Sequence, residues 1–303
     1  MRFKFSVFAI LLVLFFSTAY GKQEGKLLFL GLTDLGWQIF AYDLTEGEPY
    51  QLTYSVGDKR SPKIHGGQLY FRDTLGKIKM LSDNGKELDF PVKIGPCFDF
   101  AFGPDNTLFY VAHGPQGNLK FWLYRKEMAK DTPSKVFFRP EVGSVSQIAY
   151  SENEHAFVTS QILRSREERI LWIPVSNPDL TLPISPVGEL CFAPSFGNEA
   201  NMIYCAFEKS SGHYEIARIN KQNGVMETVV SMPDASVVAP SVDADGKSVY
   251  FEVRSVLSES SIGFQELNSK EVQQIDLPYA AKEPVWISGE SLSAYGDLMK
   301  GNQ

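Results

Sequence analysis

One pattern returns along nearly the whole chain: an apolar strand, a tight polar turn, then a second strand ending in an aromatic or aliphatic cluster. The clearest copies are Phe100-Ala101-Phe102-Gly103-Pro104-Asp105-Asn106-Thr107-Leu108-Phe109-Tyr110 and Pro240-Ser241-Val242-Asp243-Ala244-Asp245-Gly246-Lys247-Ser248-Val249-Tyr250-Phe251. Two more begin at Pro62 and Pro284, and weaker ones centre on residues 148–158 and 191–207. Pro-Asp-Asn, Asp-Gly and Gly-Gly between alternating apolar runs are hairpin turn chemistry, so each copy reads as a β-hairpin. A second alternating segment follows each hairpin, at 37–43, 77–81, 119–124, 169–175, 214–219 and 262–267, and each leads into one more short strand. Four antiparallel strands returning at a spacing of roughly 40–45 residues are the signature of propeller blades. A single blade cannot bury both faces, whereas a closed ring of blades buries all of them.

The expected fold is therefore all-β: a six-bladed β-propeller of four-stranded antiparallel blades, with seven blades as the alternative. The third-strand segments number six, but residues 27–31 add a seventh candidate for the second strand. The simplest account closes the ring there. Residues 284–287 supply the innermost strand of a blade completed by 27–31, 39–43 and 50–53, and 292–295 are left as a tail or a rival strand.

The first residues carry two positive charges, Arg2 and Lys4, then an apolar run over 7–16 and the small residues Ala19 and Gly21. A basic start, a short apolar run and a small-residue end compose a secretory signal peptide. The run is shorter than the roughly 20 apolar residues that span a bilayer. The expectation is a signal peptide at 1–21, cleaved after Gly21, and one propeller domain over 22–303 in the periplasm or outside the cell. No later segment reads as a membrane span, and a monomer is expected. The formal net charge of −7 carries no electrostatic footprint for nucleic acid. Three cysteines are too few for a disulfide framework. Cys97 reads as buried in a strand. Cys191 and Cys205 flank one hairpin and form either a disulfide or two buried thiols.

At the hairpins the chain resembles the TolB-like propeller repeat. That repeat reads Leu-Thr, a gap, Pro-x-Trp-Ser-Pro-Asp-Gly-Lys, an apolar strand, then an alternating strand ending in Asp. Gln51-Leu52-Thr53 leads to Pro62, Phe102 to Asp105 and Pro240 to Lys247 match the hairpin, Pro284-Val285-Trp286 matches its start, and Ile39-Phe40-Ala41-Tyr42-Asp43 matches the strand ending in Asp. The resemblance covers nearly all of 22–303 and is poorest in the third and fourth blades. It implies an envelope-associated binding propeller, without the additional domain that precedes the propeller in TolB. Similar propellers also serve as lyases or precede peptidase domains, so fold alone does not give function.

Catalytic signatures are sparse. Gly289-Glu290-Ser291-Leu292-Ser293 approaches a nucleophile elbow but lacks its second glycine. No phosphate loop, dinucleotide fingerprint, Cys-x-x-Cys pair or His-Glu-x-x-His occurs, and no cofactor is implied. Asp243-Ala244-Asp245-Gly246 matches the repeat hairpin position for position and reads as a turn rather than a calcium loop. His65 and His155 fall in turns between the first and second strands. His113 and His213 fall in links between the second and third, on the opposite face. Four histidines so placed do not form one metal site.

The expected functional face is the one bearing the links between blades and between second and third strands, whose loops are longer and more charged. Its candidate binding residues are Trp37, Arg60, His113, Arg164, Arg166, His213 and Arg254. The arginines present rigid donor forks suited to a carboxylate or a peptide terminus. The expectation is a non-catalytic binding or scaffold propeller that engages a protein, peptide or glycan. The alternative is a metal-dependent glycan lyase or hydrolase.

Overall fold

The structure is a computed structural model that describes residues 25–115, 119–163 and 167–296. The expected signal peptide at 1–21 and the candidates Arg164 and Arg166 lie outside the described residues. The chain forms six sheets of four antiparallel strands. The innermost strands are, in order, Arg60–His65, Asp99–Gly103, Ser144–Ser151, Cys191–Phe196, Ser236–Val242 and Ala281–Ile287. Blade one begins at Arg60. Blade six is assembled from both ends of the domain: Ala281–Ile287 pairs with Lys26–Thr33, which pairs with Gly36–Asp43 and then Glu48–Gln51. Ring closure is thus as the repeat count implied, with six blades.

Four innermost strands share a kink that the sequence encodes. Ser61, Ala193, Ala239 and Glu283 have positive φ, between 49° and 52°, and each precedes a proline, Pro62, Pro194, Pro240 or Pro284. The pairing register shifts at these points. Proline has no N–H to give to the ladder, so a bulge lets the strand pass it without an unmet bond. The innermost strand is an edge that faces the channel, where proline is tolerated. A left-handed residue outside glycine costs roughly 1–2 kcal/mol, which the flanking pairing must offset.

The core is divided into six layers, one between each pair of neighbouring blades. Phe109 of blade two meets Phe157 of blade three at 4.4 Å between ring centroids. Side chains also tie one blade to the next: the Ile148 amide donates to Asp99 at 2.9 Å, Ala193 to Ser160 at 3.1 Å and Trp286 to Ser241 at 2.8 Å. At the hairpin between the first two strands of blade five, Asp243 accepts the Lys247 and Ser248 amides at 2.8 and 3.1 Å, a turn as read from the sequence.

One detail settles what the strand count left open. Residues 292–295 form neither a free tail nor a strand. They belong to a 3-10 segment, Gly289–Tyr295, in which Leu292 and Tyr295 are buried against Leu69, Phe71 and Leu81 of blade one. The Tyr295 hydroxyl accepts the Leu69 amide at 2.9 Å and donates to the Leu81 carbonyl at 2.8 Å. The outer strand of blade three is only Leu182–Pro183, because Pro178–Leu180 turns as a 3-10 helix capped by Asn177. Pro178 lies in that turn, and Pro183 cannot donate to extend the ladder.

Candidate functional site

The innermost strands run from the loop-rich face to the hairpin face and line a central channel. Near its loop-rich mouth the lining is acidic. Asp99 opens the innermost strand of blade two, Glu252 lies near the end of the second strand of blade five, and Glu283 sits at the kink of blade six. Asp99 and Glu252 are almost fully buried, yet Asp99 Oδ1 and Glu252 Oε2 have no hydrogen-bond partner among the described residues. Their other oxygens are held, Asp99 Oδ2 by the Ile148 amide and Glu252 Oε1 by Arg254 Nε at 2.6 Å. Burial pushes the Glu283 carboxyl above the usual carboxylate range. Glu252 and Asp99 add to the rise, against Lys282 and the Ser61 amide. Glu168 of blade three is raised by burial as well, against hydroxyl hydrogen bonds from Ser146 and Ser160. Unmet carboxylate oxygens in a confined space attract a cation or a donor-rich group, since an unpaired buried charge is costly.

The predicted residues divide. Trp37 and Arg60 come together where blade six passes into blade one: the Trp37 amide donates to Asp58 at 3.1 Å, and Arg60 lies 3.8 Å from the same carboxylate. Lys282 stands over the Trp37 ring at 4.0 Å, so that ring is already engaged by a cation. Arg254 lies against Glu252. His113 is packed between rings, 4.4 Å from Phe121 and 6.1 Å from Phe98. His213 opens the third strand of blade four, two blades away from His113. The acidic lining itself was missed. Its one sequence signal is the slot before the repeat proline, which holds Ser61, Ala193 and Ala239 in three blades but Glu283 in the fourth.

Exposed apolar side chains gather on this same face. Val56, Leu75, Leu119, Val187, Val256 and Leu257 all lie in its loops, and Val256 and Leu257 are 98% and 96% exposed. These side chains come from five loops spread around that face.

The hairpin face carries a different feature, a cavity of about 600 Å³ lined by Lys63, His65, Phe102, Asn106, Tyr150 and Glu152, among others. The His65 ring stacks on Phe102 at 4.3 Å. Burial lowers its pKa, partly countered by a hydrogen bond with Asn106, so the ring is neutral at physiological pH. His65 is thus a packed pocket residue rather than an exposed loop histidine. Among the described residues no three His, Cys, Asp or Glu side chains converge as metal ligands.

The raised Glu283 carboxyl has a measurable consequence. A carboxyl whose pKa is higher in the folded than in the unfolded chain favours folding in its protonated form. Its contribution is fully present below the ordinary value of about 4.3 and is lost as pH rises through the raised one. Glu283→Gln should therefore raise Tm at pH 7 and leave it nearly unchanged at pH 4. Equal effects at both pH values would show that the surroundings do not raise the Glu283 carboxyl.

No protein-family model and no curated protein sequence matches the chain. Solved structures do. TolB from Acinetobacter baumannii superposes with a TM-score of 0.73 at 13% identity, over 88% of this chain and 67% of that one. A putative TolB from Agrobacterium tumefaciens gives a TM-score of 0.69 at 12% identity, over 87% of this chain and 92% of that one. An oligogalacturonate lyase from Vibrio parahaemolyticus gives 0.55 at 13% identity, over 82% of this chain and 74% of that one. At such identities the likeness is one of fold: the chain has the six-bladed propeller fold of TolB-like proteins.

Proposed function

We propose that this six-bladed, TolB-like propeller is an exported, non-catalytic binding module of the bacterial envelope, monomeric by itself, that captures a protein segment on its loop-rich face. The observation that carries the reading is the apolar rim of that face surrounding an acidic channel mouth. Val56, Leu75, Leu119, Val187, Val256 and Leu257 are mostly aliphatic and exposed. Aliphatic rims suit a protein surface. A glycan would ask for aromatic platforms, and only a few rings, such as Tyr54 and Phe98, are exposed there.

The channel adds charge selection. Asp99 and Glu252 lie near Glu283 and help to push its carboxyl above the usual range, which marks a concentration of negative charge here. A lysine, an arginine or a chain amino terminus entering the mouth complements that charge, and hydrogen bonds to charged groups are the strong ones. A segment with apolar anchors flanking one cationic group matches both parts of the surface. The TolB likeness supports an envelope setting, as does the basic-apolar-small pattern at 1–21. The lyase alternative requires convergent metal ligands, and the histidines are divided between the two faces.

The test is photo-crosslinking in cells that export the protein, with the crosslinker at 257 or 119 on the loop-rich face and at 180 on the opposite one. A discrete adduct is expected from 257 and 119 but not from 180. The double variant V256D/L257D should abolish it without moving Tm, since both side chains are exposed. Adducts from 180 alone, or from no position, would defeat the proposal.

A further inference from the structure

The layer between blades three and four contains a group of sulfurs unrelated to either mouth of the channel. Cys191 opens the innermost strand of blade four, Cys205 lies in the second strand, Met202–Ser210, and Met226 opens the outer strand, Met226–Val230. All three face blade three, where they pack with Val158, Ile170 and Ile184. Both cysteines are fully buried free thiols. Cys191 Sγ lies 3.9 Å from Met226 Sδ. Cys205 lies in the same buried layer, on the strand paired with that of Cys191. Two thiols and a thioether, drawn from three strands, thus share one buried layer, with Cys191 and Met226 sulfur to sulfur.

We propose that Cys191, Cys205 and Met226 form a binding site for a single soft monovalent cation, copper(I). The Cys191–Met226 spacing fits such a site: with metal–sulfur bonds of roughly 2.3 Å, sulfurs around a trigonal centre stand roughly 4 Å apart, against the 3.9 Å between these two. The donors select the metal. Thiolate and thioether sulfur favour copper(I), whereas calcium and magnesium demand several oxygens and zinc a fourth strong ligand. Among the described residues no three His, Cys, Asp or Glu side chains converge, so a nitrogen or oxygen set for those ions is absent here. Charge points the same way. Capture exchanges a proton for the metal, Cu⁺ + RSH → Cu–SR + H⁺, and the proton leaves to solvent. With one thiolate the apolar site stays neutral, which matters because a net charge buried there is costly. The small Ala217, on the third strand between Cys205 and the outer strand, is buried in the same layer and leaves room for the Met226 side chain. Both thiols are sealed from solvent, so the metal enters when this layer opens or while the chain folds.

The experiment uses the whole chain, unfolded and refolded without oxygen in the presence of copper(I) supplied as its acetonitrile complex, then challenged with bathocuproine disulfonate. The wild type should retain one copper per chain and gain Tm, with slow loading of protein that is already folded. Met226→Leu keeps the volume and so the fold, and it should surrender copper at a chelator concentration at least about tenfold lower. Cys205→Ala should retain none, and Cys97→Ala, in a different layer, should behave as wild type. The proposal fails if refolded wild type holds no copper. It fails equally if retention survives both Met226→Leu and Cys205→Ala, or if the purified chain has lost two hydrogens to a Cys191–Cys205 disulfide.

Discussion

Tyr295→Ala should lower stability by about 4 kcal/mol, the usual cost of truncating a buried aromatic side chain to alanine. Tyr295 is 1% exposed and fills the layer between blades six and one, where the two ends of the ring meet. Its hydroxyl is also the partner of the Leu69 amide and the Leu81 carbonyl. Tyr295→Phe keeps the ring but orphans the Leu69 amide, and an unmet buried donor costs about 1–3 kcal/mol. The carbonyl retains Gln68 as a partner. Thermal unfolding should show a Tm loss of roughly 8 °C or more for the alanine variant, with the phenylalanine variant between it and wild type. Hydrogen exchange should rise first in blade one and not in blade four, because the defect opens the seam locally. An alanine variant within about 1 kcal/mol of wild type would mean that the 3-10 segment does not hold the ring shut.

Gly143→Ala should be the most damaging of the conservative glycine changes. Gly143 has φ +72°, and a Cβ placed there would lie 1.9 Å from the carbonyl oxygen of Ile162. That oxygen belongs to backbone at the end of a paired strand, so neither side can move without breaking the link into blade three. The left-handed conformation alone costs roughly 1–2 kcal/mol, and the clash should bring the total to about 3 kcal/mol or more. Gly188 separates the two contributions: its φ is +88° but nothing lies within 4 Å of a Cβ built on it. Gly188→Ala should therefore lose only the conformational part. Equal melting temperatures for the two variants would show that the crossing at Gly143 is looser than the backbone indicates.

The six layers of the ring were legible because a propeller repeats its instructions. Turn chemistry at Gly103-Pro104-Asp105-Asn106 or Asp243-Ala244-Asp245-Gly246 acts over a few residues, and alternation fixes which side chains face inwards. Both are local properties that a chain states outright. Even ring closure, a contact between residues some 250 positions apart, followed from counting strands, since 27–31 lacked a partner and 284–287 offered one.

The site was less legible. Asp99, Glu252 and Glu283 sit in three blades, and nothing local distinguishes a carboxylate facing a channel from one facing water. Only packing around the ring brings Glu252 and Asp99 near Glu283 and leaves two of their oxygens unmet. Trp37 opens a strand beside the loop-rich face, but its ring is occupied by Lys282, a neighbour set by closure of the sixth blade. Cys191 and Cys205 flank one hairpin, and of the two readings that spacing allowed they are buried free thiols, while Met226 meets Cys191 only in the packed layer. The sequence by itself determined the strands, their turns, the number of blades and the strand that closes them, because those depend on short-range backbone preference and alternation. The tertiary structure alone decided which charges lack partners, which sulfurs touch and how the last residues lock the seam, because those depend on distances between blades that no local pattern encodes.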